Sequence, residues 1–482
     1  MTLRVLAVAS EAYPLVKTGG LADVVGALPA ALAGEGIAVT TLLPGYPAVL
    51  RAIGEAPAVL TLPDRFGPAR LRRAQVGALD LLALEAPHLF DRPGNPYAAP
   101  EGGDWPDNGE RFAALGLAAA EAATALGVQA VHAHDWQAGL AGAYLRHLAP
   151  RPIPTVFTIH NLAFQGQFPP ALFPRLGLPA AAWSTAGVEY FGSVGFLKAG
   201  LWYADRITTV SPSYAAEIRT PAGGMGLDGL LRGRAGVVSG ILNGLDDAAW
   251  DPATDPALAA RFTAAAPEAR AANKAALQAR FGLVPDPAAP LFAFVGRLAW
   301  QKGMDLVLAA LPTLLEIGGQ LAILGTGEPG LEAQCRGAAA AHPGRVGAAI
   351  GFDEALARLC YGGADAVLVP SRFEPCGLAQ LCALRYGAPP VVARTGGLAD
   401  TVIDANEMAL AAGCATGLQF APGDAAMLAG ALRHAAALIG DAALWARIRG
   451  NAMRCDVSWR RSAARYAALF REVAMAGSSV IA

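Results

Sequence analysis

Charge is scarce in this sequence and neither sign dominates. Charged residues make up 16% of the chain, and 37 Lys and Arg stand against 39 Asp and Glu. That balance removes the electrostatic case for a nucleic acid or an anionic membrane surface as partner. Long apolar runs are missing too. The longest stretch free of charged residues and histidine, Met408 to Gly423, is broken by Gly, Thr, Gln and Pro. It falls short of the ~18 apolar residues that a membrane span needs. Cysteine is sparse. All 6 lie beyond residue 330 with no metal-type pairing. They fit reduced thiols of a cytosolic enzyme rather than a disulfide framework. No Asp-x-Asp pair is present to hold Mg²⁺ beside a nucleotide. The N-terminus offers one basic residue and a short apolar run. A strand followed by a glycine loop explains that run better than a signal peptide does.

What the sequence has in quantity is apolar surface, at 54% hydrophobic, enough for a large core. Length suggests roughly three domains, or two larger α/β ones. Leu3 to Ala9 reads as a strand buried on both faces, Leu21 to Ala33 as a helix, and Ile37 to Leu43 as the next strand. This order, with glycine between elements, signals a doubly wound parallel sheet. Residues 85 to 110, rich in Pro, Gly, Asp and Asn, predict a long surface loop, and Phe112 to Leu126 a helix. Three further strands end in polar groups: His134-Asp135-Trp136, His160-Asn161 and Ser211-Pro212-Ser213. Together they line one rim of a sheet. Asp246 to Pro256 reads as a linker. A second βα series opens at Leu291 and repeats at Gln320, Val346, Ala366 and Pro390. From Ser458 the tail places Trp459, Ala463, Tyr466 and Phe470 on one helical face, a face that must dock on something.

The hexapeptide Thr-Gly-Gly-Leu-Ala-Asp occurs twice, at Thr18–Asp23 and Thr395–Asp400. Each copy comes after a strand and opens a helix, which suits a phosphate cradle; a tight turn needing positive φ is the rival reading. Lys17 precedes the first copy, and Glu374 sits at a strand end beside the second. Arg297 and Lys302 lie beyond the strand that ends at Gly296, where two cations could neutralise a diphosphate without metal. Gly325 to Gly330 fits G-x-G-x-x-G and keeps a dinucleotide reading open. Against it, Glu328 would put a negative charge beside the pyrophosphate. His132, His134 and His160 are ambiguous, since a lone His at a strand end is more often a structural hydrogen-bonder than a catalyst. Cys376 reads as a buried thiol rather than a nucleophile.

Taken in order, these motifs resemble bacterial glycogen synthase and its starch synthase relatives. The set comprises Lys17 to Asp23, His134-Asp135-Trp136, Ile159-His160-Asn161, Val210-Ser211-Pro212, Gly240 to Gly244, Gly296-Arg297-Leu298, Gln301-Lys302-Gly303, Arg372 to Leu378 and Thr395 to Asp400. Starting directly at its first strand, the chain fits the bacterial enzyme more closely. The resemblance implies a GT-B fold, with Rossmann-like domains over residues 1–242 and 243–456 facing across a deep cleft. It implies that a helix at 457–482 crosses back to the first domain. It also implies retaining transfer of glucose from ADP-glucose to the non-reducing end of an α-1,4-glucan such as glycogen. The expected setting is cytoplasmic, with no cofactor, metal, nucleic acid or membrane. Implied catalytic residues are Glu374 on the glucose hydroxyls, Arg297 and Lys302 on the diphosphate, and Asp135 and His160 in the glucose pocket. Donor contacts would come from Lys17, Gly19, Gly20, Asn161, Asn243, Cys376, Gly377 and Leu378, with Thr395, Gly396 and Gly397 on the distal phosphate. Phe352 falls where relatives often place a Tyr against the adenine; it keeps the stacking and loses the hydroxyl. Glu11, Tyr97, Asn108, Trp136 and Gln137 are implied on the acceptor side, Trp136 as a stacking platform. The twin glycine turns would approach one donor from opposite domains as the cleft closes. Two alternatives stay open at this point. One is a GT-B transferase using UDP-glucose or another acceptor. The other is a non-catalytic glucan- or NAD-binding protein.

Overall fold

The computed structural model describes residues 2–100 and 102–479. By its contacts the chain forms two units. The first comprises the residues through Asn243 together with those from Trp459 onward, and the second comprises Gly244–Ser458. Residue 1 and residues 480–482, the outer ends of the first and third expected segments, lie outside the described residues.

In the first unit, β1 (Leu3–Val8), β2 (Ile37–Pro44), β3 (Ala58–Thr61), β4 (Arg70–Val76), β5 (Leu79–Glu85), β6 (Ala130–His134) and β7 (Thr155–Ile159) come first along the chain. β8 (Gln167–Phe168), β9 (Glu189–Tyr190) and β10 (Ser193–Gly195) form a small antiparallel sheet of their own. β11 (Arg206–Thr209) and β12 (Val238–Gly240) rejoin the large one. Its order is β12-β11-β7-β6-β1-β2-β5-β4-β3, parallel except at β3 and β4. The chain leaves β1 toward β2 and later returns to β6 on the other side. The carboxyl ends of β1 and β6 therefore mark a topological switch point, where open α/β sheets bind ligands.

The second unit holds β13 (Leu291–Val295), β14 (Gln320–Gly325), β15 (Val346–Ile350), β16 (Ala366–Val369), β17 (Pro390–Ala393) and β18 (Leu418–Phe420). They form one parallel sheet in the order β15-β14-β13-β16-β17-β18. Here the switch falls between β13 and β16. β16 and β17 are buried along their whole length, as short apolar strands covered on both faces should be.

Several elements go beyond the sequence expectations. β3, β4 and β5 were not anticipated, although the arginine-rich run Arg70 to Val76 is followed by Gly77 at φ +57° and then by the mostly apolar run from Leu79. A glycine turn of this kind between two such runs is a hairpin signal. β18 was masked by its uncharged surroundings. The expected loop over 85 to 110 contains a helical turn at Pro87–Phe90, and the next helix already starts at Asn108. The loop is also anchored. Buried Arg111 donates to the carbonyls of Leu89 and Pro96 at 2.8 and 2.9 Å.

The last helix, Arg460–Ser479, belongs to the first unit. Trp459, Ala463, Tyr466 and Phe470 share one buried cluster with Val5, Leu28 and Leu32, so the apolar face read from the tail is spent on this core. The ring of Phe470 is wholly buried and lies 5.3 Å from that of His132. Phe470→Ala should lower stability by ~3–5 kcal/mol, measured by chemical denaturation. A loss well under 1 kcal/mol would show that the helix contributes little to this core.

Candidate active site

In the second unit, β13 and β16 bring one of the expected cations, Lys302, to the expected carboxylate. Lys302, in the turn Trp300–Lys302, donates from Nζ to Glu374 Oε2 at 2.5 Å. Ser371 Oγ donates to the same oxygen at 2.9 Å. The Glu374 carboxylate is buried, and a buried charge needs such partners. These side chains line a small cavity of about 50 Å³ together with Gly296, Gly377 and Leu378. Arg297 reaches outward and touches Gln301 Oε1 at 3.3 Å. Arg372 clamps Asp305 with both terminal nitrogens, at 2.8 and 2.6 Å, and stacks on Trp300. It braces the turn that carries Lys302. At the end of β15, Phe352 is 81% exposed, an open ring face. Cys376 is a buried thiol, free of any disulfide. Ser371 was missed in the sequence; Pro-Ser-Arg directly after a strand was its signal.

The second glycine turn has a different first duty from the expected phosphate cradle. The Gly397 N–H donates to the carbonyls of Glu374 and Pro375 at 3.1 and 3.2 Å. Gly396 has φ +44°, and a Cβ there would lie 2.0 Å from the Glu374 carbonyl oxygen. Both glycines hold the Glu374 loop in place, and Thr395 beside them is buried. The G-x-G-x-x-G loop is also occupied. Glu332 accepts from Thr326 Oγ1 and the Gly327 N–H at 2.7 and 3.0 Å, and the Glu328 N–H donates to Leu298. A pyrophosphate would meet a carboxylate where it needs amides, which argues against a dinucleotide there.

In the first unit, the ends of β6 and β7 carry Asp135, His160 and Asn161. Asp135 is buried and holds φ +55°, a strained conformation for a residue other than glycine. Its Oδ1 accepts from the His160 N–H at 2.6 Å and the Asn161 N–H at 3.4 Å. Burial pushes its carboxyl up to about 7, with the charge of Glu11 adding to the effect and the two backbone donors opposing it. The His160 ring is not isolated. Its Nε2 meets His134 Nδ1 at 2.9 Å, while His132 Nε2 meets Thr158 Oγ1 at 2.7 Å. Burial pushes His132 and His160 down to about 3, and His134 well below its ordinary range. All three imidazoles are therefore neutral, so His160 is a hydrogen-bonding group here rather than a cation.

Several acceptor-side expectations change. The Glu11 carboxylate accepts from the Thr18 N–H, from Thr18 Oγ1 at 2.6 Å and from the Gly19 N–H at 3.4 Å. It thereby fills the anion seat of the first glycine turn, and Gly20 begins the helix behind it. The Tyr97 hydroxyl also donates to Glu11. Lys17 pairs with Asp23 at 2.7 Å. Asn108 is buried at a helix start, donating to the Tyr97 carbonyl at 2.9 Å and accepting from Arg111 at 2.6 Å. Its amide therefore supports the loop. Trp136 is 8% exposed. It is covered by Gly166, where a Cβ would come within 2.3 Å of the ring, and lies edge-on to Phe112 at 4.9 Å. It belongs to the core and offers no open face for stacking. Gln137 Oε1 and Asn243 Oδ1 are buried and have no donor among the described residues. Hydroxyl groups of a ligand would satisfy such acceptors.

Residues 4–233 match the starch synthase catalytic domain family and residues 289–437 the glycosyl transferases group 1 family. A glycogen synthase of Acidiphilium cryptum is 60% identical over 476 residues, covering 98% of this chain and 99% of its own. One from Methylocella silvestris is 59% identical over 480 residues, covering 98% and 99%. The catalytic domain of starch synthase IV from Arabidopsis thaliana, solved with ADP and acarbose, has a TM-score of 0.88 at 30% identity over 98% of this chain and 100% of that one. The chain belongs to the glycogen and starch synthase family. As a family member it is a glycosyltransferase, and its two Rossmann-like units are those of the GT-B fold. Among the synthase's described residues, no group of three or more His, Cys, Asp or Glu could hold a metal ion. No single helix among them is long and apolar enough to cross a membrane.

The neutral imidazoles of this synthase make it acid-sensitive. An unfolded chain protonates histidine near ~6.5, whereas the folded one resists down to about 3 at His132 and His160. Their contribution is complete above ~6.5 and is lost as pH falls, by at most about 1.4 kcal/mol per pH unit for each. Asp135, pushed the other way, partly offsets this between ~4 and ~7 by favouring the folded state as pH falls. Denaturation midpoints of His132→Gln should therefore fall less steeply between pH 7.5 and 5 than those of the unaltered protein. Parallel slopes would refute the neutral assignment.

Proposed function

We propose that this chain transfers glucose from ADP-glucose to the non-reducing end of an α-1,4-glucan, with retention at the anomeric carbon, without a metal and in the cytoplasm. The observation that carries this reading is the Lys302–Glu374–Ser371 cluster at the switch point of the second unit. Relatives named glycogen synthase, and a starch synthase solved with ADP, support the donor and acceptor classes. Six cysteines outside any disulfide, four of them buried, support a reducing compartment.

Breaking the anomeric C–O bond places negative charge on the departing diphosphate and positive charge on the sugar. Lys302 and Arg297 meet the first of these. A preorganised cation at the site of developing charge is where such catalysis gains most. Glu374, anchored by Ser371, accepts from glucose hydroxyls once the ligand draws Lys302 toward phosphate. Phe352 gives the adenine a flat apolar face. In the first unit, Asp135, neutral His160, Gln137 and Asn243 supply acceptors and donors for hydroxyl groups, as a neutral polymer requires. For retention we favour a front-face ion-pair route, in which the leaving phosphate takes the acceptor's proton. A trapped glucosyl ester on Glu374 would overturn that route.

The deciding experiment measures which nucleotide is released from ADP-glucose and UDP-glucose with glycogen present, each assay repeated with EDTA. ADP release untouched by EDTA is expected. UDP release alone would replace the donor, and strong inhibition by EDTA would contradict the metal-free reading. Lys302→Ala should cut kcat by ~10²-fold or more, the loss expected when leaving-group charge goes uncompensated. An unaffected rate, in a variant whose far-UV circular dichroism is unchanged, would remove Lys302 from the diphosphate.

A further inference from the structure

Beneath the Glu374 loop lies a buried amide to which the chemistry above gives no task. Gln380 is fully buried. Its Nε2 donates to the carbonyls of Cys376 and Gly377 at 2.8 and 3.0 Å, and to Thr401 Oγ1 at 3.3 Å. Thr401 Oγ1 donates onward to the Gly397 carbonyl at 2.6 Å. The Gly397 N–H returns to the carbonyls of Glu374 and Pro375. A closed circuit of hydrogen bonds thus joins the Glu374 loop to the second glycine turn. Three acceptors around one nitrogen decide which end of the amide is which, because the reverse orientation would set Oε1 against two carbonyls. Oε1 itself has no donor among the described residues. An unpaired buried acceptor is unfavourable, so the position keeps an amide despite a cost that an apolar side chain of similar length would avoid.

In a trans peptide the C=O and the N–H point in opposite directions. With the carbonyls of Cys376 and Gly377 drawn down to Gln380, the N–H groups of Gly377 and Leu378 turn the other way. Neither donates to a protein acceptor among the described residues, and both residues line the cavity that holds Lys302 and Glu374. We infer that Gln380, braced by Thr401, is a positioning residue that presents these two consecutive N–H groups to the transferred sugar. The inference rests on the reading that the second unit holds ADP-glucose with its glucose at Glu374.

ADP lacks the sugar, so the ratio of ADP-glucose affinity to ADP affinity isolates the sugar's contacts. Gln380→Met keeps the length of the side chain and removes the donor. Its Kd for ADP should stay within ~2-fold of the unaltered enzyme, while its ADP-glucose affinity and kcat should each fall by ~10-fold or more. Thr401→Val, which cuts one leg of the circuit, should move the ratio in the same direction by less, and it carries the comparison if Gln380→Met does not fold. An equal loss for both ligands would mean that the loop has collapsed, and would overturn the proposal. Unchanged ADP-glucose affinity in Gln380→Met would overturn it too. If the unaltered enzyme itself failed to turn over ADP-glucose, the functional reading would fall, not the geometry of Gln380.

Discussion

One buried carboxylate sets the terms for the second unit. Glu374 sits where water cannot solvate it freely, so it must be compensated from within. Lys302 and Ser371 do this from two different strand ends, and the Lys302 turn and the Glu374 backbone are each held by neighbours. Arg372 holds the Lys302 turn through Asp305 and Trp300, and Gly397 ties down the backbone of Glu374 itself. An ion pair of this kind adds little net stability. In the proposed function, its value is that the two charges already stand where a diphosphate and a sugar would exchange partners with them.

The first unit solves a related problem with the opposite chemistry. It stacks three imidazoles and a carboxyl group under one rim, and burial keeps the imidazoles neutral. A neutral polar floor can hydrogen-bond hydroxyl groups without attracting counterions. The strained backbone at Asp135 shows that the surroundings impose this arrangement, because a residue left to itself would relax. Glu11 closes the first glycine turn with its own carboxylate, so this turn rests with an internal anion in place of an external one.

Much of this was legible in the chain. Lys302 and Glu374 could be grouped because parallel strands are short apolar runs, and the residues just after such runs gather at one end of the sheet, whereas the outward turn of Arg297 was not legible. The same logic located Asp135, His160 and Asn161. The features that were not legible depended on partners distant in sequence. Trp136 reads as a platform until Gly166 is seen covering its face, and Asn108 reads as a ligand until Arg111 is seen taking its oxygen. Glycine turns carried the same ambiguity. A pair of glycines signals close approach, but whether a phosphate or another loop makes that approach is a tertiary fact. For Gly396 and Gly397 it is another loop.

The discontinuity of the first unit bears on how the protein is made. Its sheet begins at Leu3, yet the helix that covers the floor of β1 and β6 comes only after the second unit, at Arg460–Ser479. A ribosome releases the N-terminal sheet long before it delivers that cover, and the whole second unit emerges in between. Until then Val5, Leu28, Leu32 and His132 lack the rings of Tyr466 and Phe470. The nascent first unit must therefore persist with an apolar flank exposed, the condition in which chaperones engage growing chains. Completion of the first unit waits for the residues from Trp459 onward, and a chain cut before them would leave this core open.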